Sequence, residues 1–489
     1  MLLDIGSSSP FSLAEADREQ LAARLKLAVR RARRSGRETL ATFSLALPGG
    51  VDPAAVVCAS RRAGERWFVF EQPDRGHAAL AGLGEAVSLQ ASGAERFTAI
   101  ADRWRALAAG AVAGAAEELP GAGPVAVGGF AFAPHGGGTP HWGGFEPASL
   151  TVPEVALVRR ARAPEERGAA NATVRLTLAA LANPDDIPEQ LLARLERRLQ
   201  ELHDAPLALL DPAPTGRFRI AGAMPPEHHE AAVARAVELI RAGELEKIVL
   251  AREVQVHAPR RYDPAAVFGV LRHEFPSCFV FCVGRGERTL IAASPELLIR
   301  REGHRVSTLA LAGSTRRSAD PAVDAHLGEQ LLRDQSYREE HAIVARRIER
   351  TLRPHSVWVA CAPEPELVRI ANIQHLATPI RAQLAAPIEA LALAGLMHPT
   401  PAVGGEPLAR ASPLIPALEG LDRGWYSGPV GWTDAAGDGE FCVALRCALL
   451  EGGLARCYAG NGVVRDSDPA KELAETEVKL QALLPLLTG

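Results

Sequence analysis

The sequence predicts an α/β fold of α+β character, in which β-rich stretches and helices both contribute. Three observations carry this reading. The stretch from Glu38 to about Val174 is β-rich, strands and helices alternate through the second half, and three strand-like runs near the C-terminus follow one another as a β-meander.

The elements follow in order. Ser12 and Glu15 make a capping box, so a first helix is expected to run to about Arg34. Its basic end, Arg30, Arg31, Arg33 and Arg34, reads as a solvated face or as an anion or membrane-surface patch. "TFSLALP", "RWFVFEQP" and "VAVGGFAF" are strands punctuated by Gly and Pro. "PHGGGTPHWGGF" (Pro134–Phe145) lacks the following helix and the Lys-Ser/Thr of a phosphate loop, and reads as a surface loop whose two histidines leave a metal open. "LALLDPAPTGRF" connects the halves. A helix then covers Glu227–Ala242, with Val233, Val237 and Ile240 on one stripe and Gly243 as its stop.

Next comes the strand "KIVLAREV", which opens on Lys247. "SCFVFCVG" and "TLIAASPELLIRR" form a hairpin, and one long helix is expected from about Asp324 to Leu352. "VWVACA" is a strand and "IEALALAGL" a helix, followed by the meander "GPVGWTD", "EFCVALRCALL" and "ARCYAGNGVV". The last helix has Pro469 in its first turn, Asp468 as cap, and an end at about Leu484.

Bulk properties narrow the function. The 489 residues are 47% hydrophobic and 23% charged, a globular composition, and the net charge of -4 gives no basic field for nucleic acid. The seven cysteines form no CxxC pair, Met1–Pro10 has no basic leader region, and no 18-residue apolar span occurs; a cytoplasmic chain without a membrane span is expected. There is no Walker A, no GxGxxG after a strand, no HExxH and no GxSxG.

Several charged residues stand where charge is costly. Lys247 and Glu296 sit at strand entrances, each either a solvated end charge or a placed reactive group. Glu340 in "YREEHAIV" lies at the apolar edge of its helix. Glu472, Glu475 and Lys479 fall within about 60° of one another on one helical face, which suits either a solvated face or a cation site. Glu340 and Glu475 together offer hard oxygen ligands of the kind Mg²⁺ prefers. His375 and His398 stand beside Pro-containing turns, and Arg446 interrupts an apolar strand, where it needs an anion if buried.

"EKIVLAR", "SPELLIRR", "LAGSTRR", "REEH", "IQHLATP", "HPTPAVGG", "GPVGW", "VALRC", "YAGNGVV" and "KELAETEVKL" stand in the order seen in chorismate-using enzymes, and the chain resembles the isochorismate synthases. The likeness is dense from about Met224 onward and extends weakly to "VGGFAF". It implies one large domain over 1–489, with an N-terminal β-rich portion (1–210) and a chorismate-binding catalytic portion (217–489). It also implies two stacked antiparallel-rich β-sheets surrounded by helices, chorismate as substrate, Mg²⁺ dependence, and no obligatory protein partner.

By the same resemblance Lys247 is the base that activates water for attack at ring C2, and Glu296 the acid that protonates the departing C4 hydroxyl. Glu340 and Glu475 match the metal ligands, with Glu472 close by. Tyr426 and Arg446 match residues that hold the enolpyruvyl carboxylate. Gly313, Ser314, His375, Ala402, Gly460 and Lys479 match other substrate-pocket positions. The division is chemically coherent: a lysine base needs its pKa brought from about 10.4 toward about 7–8, and a glutamic acid needs an apolar pocket to keep its proton.

Within the family, anthranilate-forming relatives commonly carry Gln where this chain has Lys247, and aminodeoxychorismate-forming relatives resemble "PIKGT" where it reads Leu311-Ala312-Gly313. Salicylate synthases share Lys247 and the acids and then eliminate pyruvate; Ser314 favours the isochorismate synthases over them. Asn461, where relatives often have alanine, and Val403, where leucine is frequent, depart from the pattern. Menaquinone and siderophore biosynthesis both stay open as the pathway, the long N-terminal region leaning toward menaquinone.

Overall fold

The computed structural model describes residues 10–114, 119–161, 172–370 and 372–488. The reading of residues 1–9 as free of a leader lies outside them.

Among the described residues two antiparallel sheets organise the fold, one of twelve strands and one of ten. Both draw on both halves of the sequence. In the larger sheet, Trp67–Gln72 pairs with Phe279–Arg285, and in the smaller, Val125–Phe130 pairs with Pro429–Asp434. An apolar cluster joins Phe68, Phe70 and Phe281 of the larger sheet to Val127, Val430 and Cys442 of the smaller, so the sheets face one another across it. Two further apolar clusters lie under the helices.

The apolar runs named as strands are strands, but two of them divide, and Arg305–Arg316 and Ile373–Leu384 are further strands that the runs did not mark. "TLIAASPELLIRR" is not one strand but two: Arg288–Ser294 belongs to the larger sheet and Leu297–Glu302 to the smaller. "EFCVALRCALL" likewise divides into Gly439–Val443 in the smaller sheet and Cys447–Glu451 in the larger. The expected meander is therefore shared between sheets. Arg446 lies in the second crossover rather than within a strand, with φ of 47°, a left-handed backbone that strains any residue carrying a Cβ.

Helix boundaries differ for local reasons. The first helix, Glu15–Ser35, has Ala14 rather than Ser12 at its N-cap position, and Ala14 offers no side-chain cap bond. The expected single helix from Asp324 to Leu352 is two, Pro321–Arg333 and Gln335–Leu352. Asp334 has extended backbone and accepts from the amides of Ser336 and Tyr337, capping the second helix and ending the first. The last long helix, Pro469–Leu480, stops four residues early, and a short helix, Leu484–Thr488, follows. The Pro134–Phe145 loop is held by the Asp422 carboxylate, which accepts from the amides of Gly137 and Thr139. Among the described residues no helix is long and apolar enough to cross a membrane.

Candidate active site

The two sheet crossovers lie side by side and are stitched together. The Val443 amide donates to the Glu296 carbonyl at 3.0 Å, and the Ala293 amide to the Arg446 carbonyl at 3.2 Å. Buried Ser294 donates its hydroxyl to the Val443 carbonyl at 2.5 Å and accepts the Glu296 amide at 3.3 Å. Glu296 and Arg446 thus hang from one rigid piece of backbone. Both line a cleft of about 740 Å³, counting its open mouth.

The other walls come from distant elements. The strand Arg305–Arg316 carries a bulge between Ala312 and Ser314, made possible by Gly313 at φ 75°. That bulge delivers Ser314, whose hydroxyl donates to Glu475 Oε1 at 2.7 Å. Glu475 also meets Lys479 Nζ at 2.7 Å, and Lys479 donates to the Gly460 carbonyl at 2.9 Å. Ala402 and Tyr426 line the cleft as well, and the Tyr426 ring stacks on Tyr458 at 5.2 Å.

Of the residues expected from sequence, the cleft brings together Glu296, Gly313, Ser314, Glu340, His375, Ala402, Tyr426, Arg446, Gly460, Glu475 and Lys479. Lys247 and Glu472 are set behind its lining. Lys247 is the first residue of its strand, Lys247–His257, yet it is fully buried, so the solvated-end reading is wrong. Its Nζ lies 2.9 Å from Glu340 Oε1 but off the hydrogen-bond direction, which leaves the amine with no aligned acceptor among the described residues. Strand Leu454–Val463 makes room for this pair: a Cβ at Gly462 would stand 2.1 Å from Glu340 Oε1 and 2.8 Å from Lys247 Cε.

Burial sets the electrostatics. The Glu296 carboxyl is pushed up to about 8 by desolvation, against the opposing pull of Lys247 and Lys479. It is a protonated acid at neutral pH. His375 is held well below its ordinary value by burial and by the charges of Arg446 and Lys479, so its imidazole is neutral. Arg446 Nη2 donates to His375 Nε2 at 2.6 Å, which places the ring proton on Nδ1. Burial lowers the Arg446 pKa, and among the described residues its Nη1 has no hydrogen-bond partner. A buried arginine with an unused donor facing a cleft suits a carboxylate ligand.

Burial, then the charges of Glu475 and Glu340, push the Glu472 carboxyl up to about 7. The three carboxylates therefore sense one another. Among the described residues no three His, Cys, Asp or Glu side chains close a metal cage by themselves. That donor set fits Mg²⁺, which takes one or two carboxylates and completes its shell with water and substrate oxygens.

Sequence reasoning missed Gly462, Tyr458 and His229. The Gly-x-Gly alternation of "GNG" on a strand was the available signal for a close approach at Gly462. His398 lies outside the cleft and donates its Nε2–H to the Phe132 carbonyl at 2.9 Å, and burial holds its pKa at about 3.

A family model described as chorismate binding enzyme matches residues 27–488. The chain belongs to the chorismate-binding enzymes. Among relatives of this family, the salicylate biosynthesis isochorismate synthase of Pseudomonas aeruginosa is 38% identical over 421 residues, covering 86% of this chain and 84% of that one. Isochorismate synthase MenF of Bacillus subtilis is 31% identical over 444 residues, 88% of this chain and 89% of that one. The solved structure of the menaquinone-specific isochorismate synthase of Escherichia coli superposes with a TM-score of 0.74 at 24% identity, over 95% of this chain and 99% of that one. Anthranilate synthase component I of Streptococcus pneumoniae shares the fold as well, with a TM-score of 0.58 at 24% identity over 76% of this chain and 82% of that one. The fold of the chorismate-binding enzymes thus carries more than one chemistry, and the choice rests on side chains.

Proposed function

We propose that this chorismate-binding enzyme isomerises chorismate to isochorismate, with Lys247 as base and Glu296 as acid. The observation that carries the reading is the Glu296 carboxylic acid, buried in the cleft wall and protonated at neutral pH, with a buried lysine amine close enough to act on its charge. Water attacks ring C2 and gives a proton toward Lys247. The ring double bonds shift, the C4–O bond breaks, and Glu296 supplies the proton with which the C4 hydroxyl leaves as water. One water enters and one departs, so substrate and product are isomers.

A dicarboxylate substrate needs two fixed positive points. Arg446, with its unused Nη1, suits the enolpyruvyl carboxylate, with Tyr426 at its side. Glu340 and Glu475, with Glu472 behind them, would hold Mg²⁺, which would neutralise the ring carboxylate and draw Glu340 away from Lys247. His375 keeps the Arg446 guanidinium in place as a neutral acceptor. Gly313, Ser314, Ala402, Gly460 and Lys479 shape and orient the remaining wall. A reducing cytoplasm suits the seven cysteines, which are all free and five of them buried.

The deciding experiment incubates purified protein with chorismate and Mg²⁺ and separates the products. Isochorismate is expected. Salicylate with pyruvate as the main product would move the chain to the salicylate synthases, and an ammonia-dependent aminated product to anthranilate chemistry. Whether its isochorismate serves menaquinone or a siderophore is read from the genes and metabolites that depend on it.

A further inference from the structure

A polar bridge starts at Asn461, in the lining of the cleft, and reaches away from it. Asn461 is 1% exposed, and its two amide atoms face different elements. Its Nδ2 donates to Glu472 Oε2 on the Pro469–Leu480 helix, and its Oδ1 lies 3.1 Å from His229 Nε2 on the Pro226–Arg241 helix. Chemistry fixes the direction of both bonds. A carboxylate beside a cation only accepts, so the amide nitrogen faces Glu472, and the remaining amide oxygen needs a donor. His229 supplies one if neutral with its proton on Nε2, and burial does hold its pKa down at about 4. The histidine itself is buried, stands outside the cleft lining, and backs onto a separate cavity with Leu250 and Glu419.

We infer that Asn461 is a positioning residue, clamped by His229, that fixes the carboxylate of Glu472 for the cation site. The inference rests on the proposed cation at Glu340, Glu472 and Glu475. Ser467, just ahead of the helix, also hydrogen-bonds the Glu472 carboxylate, and the Asn461 amide adds a second, buried donor. With one oxygen held by an amide that cannot rotate, the other is presented in a single direction. Groups that orient a ligating carboxylate from behind typically change metal affinity or activity by about 10–100-fold when removed. The clamp also makes the Pro226–Arg241 helix part of the cation site although it supplies no ligand to it.

The test uses the full chain and the variants Asn461→Ala, His229→Ala and His229→Gln, the last of which keeps a side-chain N–H for the Asn461 oxygen. Mn²⁺ binding without chorismate is followed by the electron paramagnetic resonance of the free ion. The Mg²⁺ concentration giving half-maximal isochorismate formation is measured alongside, and thermal melting reports whether each variant folds. Asn461→Ala is expected to weaken Mn²⁺ binding and raise the Mg²⁺ requirement by about 10-fold or more. His229→Ala should shift both in the same direction by less, and His229→Gln should restore them. KM for chorismate at saturating Mg²⁺ should move little. A folded Asn461→Ala protein with wild-type Mn²⁺ affinity and Mg²⁺ requirement overturns the clamp while leaving the cation site standing. A wild-type enzyme that turns over in EDTA and binds no Mn²⁺ overturns both. If Asn461→Ala does not fold, His229→Ala and His229→Gln decide: equal Mn²⁺ affinity in the two overturns the inference.

Discussion

Replacing Glu296 by Gln should make the protein inactive and, above about pH 6, more stable. A carboxyl with an ordinary value of 4.5 is pushed up to about 8 in the fold, because desolvation outweighs the pull of Lys247, Lys479 and the Thr400 hydroxyl. Below pH 4.5 the group is protonated whether the chain is folded or not, and it makes no pH-dependent difference. Between 4.5 and 8 the unfolded chain is ionised while the folded one stays protonated, so stability is lost as pH rises through that window. At about 1.4 kcal/mol per pH unit, the loss grows from about 1 kcal/mol at pH 5 to about 3 kcal/mol at pH 7. Glutamine has the same shape and no proton to lose, so this penalty disappears. Melting temperatures of wild type and Glu296→Gln, taken in EDTA from pH 5 to 8, should start close together and diverge, the variant melting higher. Turnover of the variant should fall by about 10²–10⁴-fold, the usual worth of a general acid. In the wild type, activity should decline above about pH 8 as the acid ionises. A melting difference that does not change with pH would refute the buried-acid argument, and near-normal turnover by the variant would remove Glu296 from the chemistry.

Other substitutions probe the remaining parts. Lys247→Met keeps the apolar stem that fills the space behind the cleft and removes the amine; kcat should fall by about 10²-fold or more with chorismate still bound, and normal turnover would rule the lysine out as base. Arg446→Lys replaces a planar fork by a point charge next to His375; KM for chorismate should rise by about tenfold, from loss of a charge-assisted bond worth about 1.5–3 kcal/mol, and an unchanged KM would place the carboxylate elsewhere. Gly462→Ala puts a methyl 2.1 Å from Glu340 Oε1 and must force the Lys247–Glu340 pair apart, so activity should drop well below wild type; Gly50→Ala, which meets nothing within 4 Å, is the control and should leave both activity and melting unchanged.

Much of the strand inventory is legible in the sequence because apolar runs bounded by Gly and Pro report it directly. What the runs do not report is which sheet each one joins. Ala292 to Leu298 and Phe441 to Leu450 read as continuous strands, since only a short stretch of backbone turns between two apolar ladders. The left-handed conformation of Arg446 has no sequence mark, because the residue types that favour it are Gly and Asn. Asp334 sits among good helix formers with no Gly or Pro nearby, so the break it makes is invisible until its side chain is seen capping the second helix. At the site, residue types pointed to chemistry, but the company they keep is long-range. Glu340 and Lys247 are 93 residues apart in the chain and touch through the gap left by Gly462. Sequence spacing on one helix could align Glu472 with Glu475; only the fold shows that Glu472 faces Asn461 while Glu475 faces Ser314.

The crossovers explain why the chemistry stands where it does. A charged side chain inside a two-faced apolar sheet has nowhere to go, whereas a strand that leaves one sheet for the other opens a gap between them. Here two strands leave at the same level. Ser294 and Val443 tie one crossover to the other, and the Glu296 and Val443 backbones bond directly. The Glu296 carboxyl and the Arg446 guanidinium, proposed as the acid and as the holder of a substrate carboxylate, are thus spaced by hydrogen bonds of the backbone rather than by the packing of flexible side chains. Positioning of that kind is what proton transfer to a leaving group demands, since a displacement of about 1 Å can cost 10²-fold in rate. The strain held at Arg446 belongs to the same device: the backbone that aims its side chain into the cleft is one that only a surrounding structure fixed on both sides can hold.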